Sequence, residues 1–218
     1  MSHFWITGGG TREPIDDVRF IGNVSSGSMA VAIARRAARR GHRVTLFLAD
    51  HATAPRSKAI RVVRFVTAAE LRAALRGARP APDVIVHAAA VADYAPRPLA
   101  QKKKSGASRW RIELIPVPKI APELRRRHRT ALLCTFKLES RVTLGELARR
   151  ALESAHAAGA DLVFANRLEE VGGRTGDRHR GLLLDSCGCL LARSESREEA
   201  AHAIVAVSEM GREAGGHA

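Results

Sequence analysis

Short apolar runs alternate with longer stretches of helical period along most of this chain, and that alternation restricts the fold more than any other feature. Strands are expected at residues 4–7, 44–48, 84–87, 132–137 and 162–165. Between the first two, residues 29–40 put Ala30, Ile33, Ala34 and Ala37 on one helical face and are closed by Gly41. Residues 68–75 follow Thr67, an N-cap type, with Glu70 three positions on. Further helices are expected at 120–127, 144–157 and 198–210, a short extra strand at 111–115, and a hairpin of 182–185 with 190–193. Residues 94–109 show no period and read as a loop. Strands joined through helices run parallel and are covered on both faces. The expectation is an α/β fold: one Rossmann-like domain over residues 1–210, with a mostly parallel sheet, helices on both faces, and a frayed tail at 211–218. In such sheets ligands bind beyond the carboxyl ends of the strands.

The chain has 218 residues, 45% of them hydrophobic, enough for one core and too few for two full-sized ones. No apolar stretch approaches the roughly 18–20 residues of a membrane span, and the first residues lack a charged leader. A soluble cytoplasmic protein with no membrane partner is expected. Three cysteines, Cys134, Cys187 and Cys189, are too few and too odd for a disulfide scaffold. Cys187-Gly188-Cys189 lacks a second pair or a His cluster to complete a four-ligand metal site, so a turn between strands is expected there.

The net charge of +14 raises the question of nucleic acid. The residues behind it point elsewhere. Lysine is confined to Lys58, Lys102, Lys103, Lys104, Lys119 and Lys137, every other cation is Arg, and Ala is abundant, a pattern of GC-rich coding. The runs Arg35-Arg36, Arg39-Arg40 and Arg125-Arg126-Arg127 fall near expected helix ends, where cations suit the dipole. Aromatics are 4% of the chain and none interleaves with the basic runs, so no stacking platform is available. A solvated basic surface is expected, with no nucleic-acid partner.

Chemistry gathers in the loops that follow the strands. After the first comes Thr7-Gly8-Gly9-Gly10-Thr11-Arg12-Glu13, whose glycines let backbone N–H groups approach a phosphate. It is no dinucleotide fingerprint, because Glu13 stands where a third spaced Gly belongs and Pro14 follows instead of a helix. Next, Arg19, Asn23, Ser25 and Ser26 precede Gly27 and a helix N-terminus, an arrangement suited to an anion. Helix capping explains the serines but not Arg19 and Asn23. Residues 87–94 form a small-residue turn ending in Tyr94. Pro98 stands where a short-chain dehydrogenase needs Lys, which excludes that class. Lys102-Lys103-Lys104-Ser105-Gly106 then concentrates half of the lysines in one loop, compact charges suited to moving phosphates.

Together these segments resemble the phosphopantothenoylcysteine synthetase family. The match is carried by residues 7–16, Val18-Arg19-Phe20, Asn23, Ser25-Ser26-Gly27, Ala88-Ala89-Ala90-Val91-Ala92-Asp93-Tyr94, the lysine loop, Phe136-Lys137-Leu138-Glu139 and residues 161–166. It is strongest from Ile6 to Lys104 and thin after Asn166. No flavin decarboxylase segment precedes it, so the resemblance implies the monofunctional form. It also implies a ligase that activates 4'-phosphopantothenate as an acyl-nucleotide with ATP or CTP and Mg²⁺, then couples it to the amine of L-cysteine, in a homodimer. Residues 117–119 and 136–139 resemble the ATP-using branch more than fused bacterial enzymes, which use CTP. By match of motif, Arg19, Asn23 and Ala89 would hold the phosphopantothenate side. Gly9, Gly10, Ser26 and Gly27 would line the nucleotide phosphates, Ala89, Asp93 and Phe136 the nucleoside, and Lys102 with Lys103 the triphosphate. Asn23 and Lys102 would be the catalytic pair; the resemblance supplies no metal ligands.

The chain departs from the family in three places. Ser28 replaces a basic residue after Ser-Ser-Gly, the lysine loop is one residue short, and Ser154 and Ala158 stand where bacterial members have lysines. Each is expected to remove positive charge near the triphosphate. The alternative reading is therefore a nucleotide- or phosphopantothenate-binding homologue without ligase activity, acting as a regulatory subunit.

Overall fold

A computed structural model describes residues 1–106, 108–172 and 177–215, the side chains of 212–215 excepted. The first strand, β1 (His3–Gly8), is buried at every position, as a strand covered on both faces must be. A two-stranded antiparallel ribbon follows, β2 (Arg12–Pro14) with β3 (Phe20–Gly22), then α1 (Ser28–Arg39), β4 (Arg43–Ala49), β5 (Ile60–Phe65) and α2 (Ala68–Gly77). After β6 (Val84–His87) a second ribbon pairs β7 (Tyr94–Pro96) with β8 (Leu114–Pro116). The chain continues through α3 (Ile120–Arg127), β9 (Leu132–Glu139), α4 (Leu144–Ala158), β10 (Leu162–Arg167), β11 (Arg178–Asp185), β12 (Leu190–Ser196) and α5 (Arg197–Gly215).

Eight strands form one sheet in the order β12-β11-β10-β9-β6-β1-β4-β5. All neighbours from β5 to β10 are parallel, and β11 and β12 add an antiparallel hairpin at one edge. From β1 the chain builds outward first through β4 and β5, then in the other direction through β6, β9 and β10. The order therefore reverses between β1 and β6, and the carboxyl ends of these two strands are where sheets of this kind form their ligand crevice.

Two apolar layers hold the helices to the sheet. On one face Phe4, Ile6, Leu46 and Val86 meet Ala30, Ile33, Ala34 and Ala37 of α1 and Ile204 of α5. On the other Trp5, Phe47, Ile85 and Val163 meet Leu71 of α2, Leu124 of α3 and Leu147 of α4. Each fully buried large side chain contributes about 1.5–3 kcal/mol. Local capping agrees with this packing. Thr67 Oγ1 accepts from Glu70 N–H (3.1 Å) to start α2, Thr143 and Glu146 form a capping box for α4, and Gly159 in the left-handed conformation ends it.

Four details differ from the sequence expectation. β5 was not expected; Arg61 and Arg64 interrupt its apolar pattern, which an edge strand tolerates. The extra strand lies at 114–116 rather than 111–115 and pairs with β7, inside the segment expected to be loop, instead of joining the main sheet. The ribbon β2–β3 had no periodic signal because each strand has three residues. Finally, α5 runs to Gly215 instead of ending at Met210; 216–218 lie outside the described residues. Cys187–Cys189 forms the β11–β12 turn, as expected.

Candidate functional site

The crevice at β1 and β6 is built largely from backbone. Gly9 (φ 88°) and Gly27 (φ 73°) take a conformation that other residues rarely adopt. A Cβ on Gly10 would stand 2.1 Å from the carbonyl oxygen of Asn23, so the loop after β1 touches the loop before α1 backbone to backbone. The loop after β6 is tied to the same rim. Ala90 N–H donates to Gly9 O (2.9 Å), Thr11 N–H to Ala90 O (3.2 Å), and Ala92 N–H to Thr11 Oγ1 (3.0 Å). Gly9, Gly10, Gly27 and Ala89 are thus brought together from three distant parts of the sequence.

α1 begins at this rim without a side-chain cap. Its N-cap is Gly27, and Ser26 Oγ is engaged with Ser28 Oγ (3.0 Å) and Ser28 N–H (3.4 Å). The first turn holds no acidic residue. The N–H groups of Met29 and Ala30, which follow Ser28, and the positive end of the dipole are left for an anion. Asn23 is exposed beside it, its Nδ2 donating to Val91 O (3.3 Å). Its Oδ1 has no partner among the described residues.

Arg19 sits in a clasp rather than standing free. Nε donates to Asp16 Oδ2 (3.0 Å), Nη2 donates to the same oxygen, and Nη2 also donates to Lys103 O (3.1 Å). Lys103 N–H returns to Asp16 Oδ2 (3.2 Å), while Val18 and Arg19 N–H donate to Oδ1 (3.0 Å each). These donors, Arg19 foremost, hold the Asp16 carboxyl far below the usual carboxylate range. The guanidinium lies 4.3 Å from the ring centre of Trp110, and Lys103 Nζ 5.7 Å from it. Lys102 and Lys104 are exposed on either side.

The other wall comes from the β6 and β9 ends. Asp93 accepts from Lys119 Nζ, and Val117 N–H donates to Asp93 O (2.8 Å), which extends the pairing at the open end of the β7–β8 ribbon. Phe136 lies one residue beyond Thr135, the partner of His87 in register, so it belongs to the same end of the sheet. Its ring is half-buried and 5.2 Å from that of Phe164. Glu139 accepts from Lys137 Nζ (3.1 Å) and Arg150 Nη1 (2.7 Å) at the carboxyl end of β9.

Arg150 corrects one expectation. Ser154 and Ala158 lie in the C-terminal half of α4, which runs back toward the start of β10 and away from the crevice, and Ala158 is buried in the core. Basic residues missing at those positions take no charge from this end of the sheet. Arg150, one turn before Ser154, is the α4 cation beside it. Sequence reasoning also passed over Asp16, Trp110 and Lys119 as site residues. Asp16 and Lys119 stood inside segments read as motifs, whereas Trp110 carried no signal.

Residues 1–210 match the family model described as DNA/pantothenate metabolism flavoprotein C-terminal domain. Over 191 residues the chain is 37% identical to the coenzyme A biosynthesis bifunctional protein CoaBC of Mycobacterium tuberculosis, covering 84% of this chain and 46% of that protein. It spans about half the length of the curated relatives it matches. Among solved structures, the DNA/pantothenate metabolism flavoprotein from Streptococcus pneumoniae superposes with a TM-score of 0.88 at 24% identity, over 96% of this chain and 99% of that one. The C-terminal domain of a CoaBC protein superposes with a TM-score of 0.78 at 27% identity, over 97% and 95%.

Proposed function

The chain belongs to the DNA/pantothenate metabolism flavoprotein C-terminal domain family, and on that footing we propose that it is a phosphopantothenate–cysteine ligase. The observation that carries this reading is the meeting of an uncapped helix N-terminus, the Gly9–Gly10 backbone and Asn23 at the reversal of strand order, with the Arg19–Lys103 clasp on the chain segments that lead on from the same strand ends. That rim is a receptor for anions on a nucleotide and a second phosphorylated substrate. A relative 37% identical is a coenzyme A biosynthesis bifunctional protein.

In the proposed reaction the carboxylate of 4'-phosphopantothenate attacks the α-phosphorus of ATP or CTP and expels pyrophosphate. The cysteine amine then attacks the acyl carbon and the nucleoside monophosphate leaves. The backbone at Gly9, Gly10 and the start of α1, with Ser26 and Gly27, receives the phosphates. Asp93, Ala89 and Phe136 receive the nucleoside, and Arg19 and Asn23 the phosphopantothenate. Lys102 and Lys103 balance charge as pyrophosphate departs. Mg²⁺, when bound, neutralises phosphate charge. No group of three or more His, Cys, Asp or Glu side chains suited to a metal occurs among the described residues.

We also propose a cytoplasmic homodimer that uses neither membrane nor nucleic acid. No helix among the described residues is long and apolar enough to cross a membrane. Tyr94, Leu114 and Ile115 stand exposed on the β7–β8 ribbon (54%, 42% and 37%), a surface suited to a second copy. Light scattering at micromolar concentration tests this; a fully active monomer would end it. The reading as a binding protein without ligase activity draws less support from Ser154 and Ala158, because both are in the C-terminal half of α4, toward the amino ends of the strands.

Incubation with 4'-phosphopantothenate, L-cysteine, Mg²⁺ and either ATP or CTP tests the function. Pyrophosphate release that depends on phosphopantothenate, with amide product by mass spectrometry, is expected, and side-by-side initial rates identify the nucleotide. Binding of both substrates without pyrophosphate would favour the regulatory reading.

A further inference from the structure

The geometry points to Asp16 as a positioning residue that sets Arg19 and the lysine loop as one unit, so that both substrate anions meet groups held by a single carboxylate. This inference rests on the ligase reading for its kinetic consequence but not for its structural one.

A guanidinium has five N–H groups in a fixed plane. In Arg19 the Nε–H and both Nη2–H groups are committed, to Asp16 Oδ2 and Lys103 O. The Nη1 edge has no partner among the described residues, and the side chain is 37% exposed. Arg19 therefore offers one edge in one orientation, with Trp110 against its face.

The same carboxylate reaches the loop. Asp16 Oδ2 accepts the Lys103 N–H, and the Leu99 N–H donates to Ile15 O (2.8 Å) one residue away, so the strand of chain leading to the lysines is fastened at two points to the Asp16 turn. The Asp16 side chain has no exposed surface, so water does not compete for these bonds. Lys102 and Lys104, exposed on either side of the fastened residue, are carried with it. The position of the loop charges and the orientation of Arg19 thus depend on a residue that touches neither substrate.

Asp16→Asn is the direct test. Its amide oxygen can keep the Val18 and Arg19 N–H groups, whereas its NH₂ cannot accept from the Arg19 side chain or from Lys103. Hydrogen exchange at the Lys103 amide should quicken by about tenfold or more, as loss of a buried charge-assisted bond implies. Acrylamide quenching of tryptophan emission should rise, a signal that reports Trp110 because Trp5 is only 1% exposed. KM for 4'-phosphopantothenate and for the nucleotide should both rise by about tenfold. Trp110→Leu, at a half-buried position outside the core, serves if Asp16→Asn fails to fold, and should loosen the loop and raise the same two constants. Wild-type exchange and quenching in folded Asp16→Asn would overturn the clasp. A loosened loop with both KM values unchanged would overturn its positioning role. If the loop loosens but the wild-type protein itself releases no pyrophosphate, the ligase reading fails and the clasp stands.

Discussion

Thr7 Oγ1 lies 2.9 Å from Nδ1 of His87, across the β1–β6 pair at the floor of the crevice. Ala89 N–H donates to the same hydroxyl (3.1 Å), whose one hydrogen and remaining lone pair let it either donate to Nδ1 or accept from it. Burial pushes the pKa of His87 down to about 4.

A pH dependence of stability follows. The folded-state pKa lies below the unfolded value of about 6.5, so the unfolded chain binds the extra proton. The contribution is whole above pH 6.5 and is lost as pH falls toward 4, at most about 3 kcal/mol. His179, also pushed to about 4 by burial and then by Arg197, loses its part in the same window. Glu123, held at about 2 by Arg76 first and Arg72 next, loses its contribution lower, between about 4.5 and 2. Denaturant unfolding at pH 7 and pH 4.5 should show the difference, and His87→Asn should narrow it. An equal acid loss in that variant would remove His87 from the account.

Gly10→Ala should damage fold and site together. Its Cβ would meet the Asn23 carbonyl at 2.1 Å, a backbone atom that cannot step aside. The expected cost is about 1–3 kcal/mol, with weakened nucleotide binding by calorimetry. Gly77→Ala, with nothing within 4 Å of the added carbon, is the neutral control. Equal melting temperatures for the two variants would contradict the close approach.

Asn23→Asp should retain most of its stability, because the side chain is exposed. It exchanges a donor for a charge beside the phosphate rim. Losing one preorganised donor costs about 10²–10³ in rate. Pyrophosphate should still be released and acyl-nucleotide should accumulate, with little amide formed on adding cysteine. Mass spectrometry of a quenched single turnover decides this; a normal amide yield would strike Asn23 from the catalytic residues.

Lys102→Gln should slow pyrophosphate release by about tenfold or more while the melting temperature holds, since Lys102 is exposed. Lys103→Gln should cost less, because its Nζ faces Trp110 and its backbone clasp remains. If Lys103→Gln alone abolished release, the roles of these neighbours would be exchanged.

The parallel sheet was legible because strands buried on both faces, such as β1 and β4, are continuous apolar runs, and because Thr67 with Glu70 marks a helix start by local chemistry. β5 was not, since an edge strand need not be apolar. The glycine loop, Asn23 and Ser25-Ser26-Gly27 could be read as one motif because they follow one another in the chain.

Periodicity and local turn chemistry are properties of neighbouring residues, so the sequence by itself determined the layers, the helix ends and the candidate loops of this protein. Tertiary structure alone decided where the charges stand. Asp16 meets Lys103 and Trp110 lies on Arg19 through the β2–β3 and β7–β8 connections, which follow the adjacent strands β1 and β6 at the point where strand order reverses. Arg150 reaches Glu139 while Ser154 points toward the other end of the sheet because α4 runs antiparallel to the strands it joins. Such distances depend on strand order and helix direction, which no local pattern encodes.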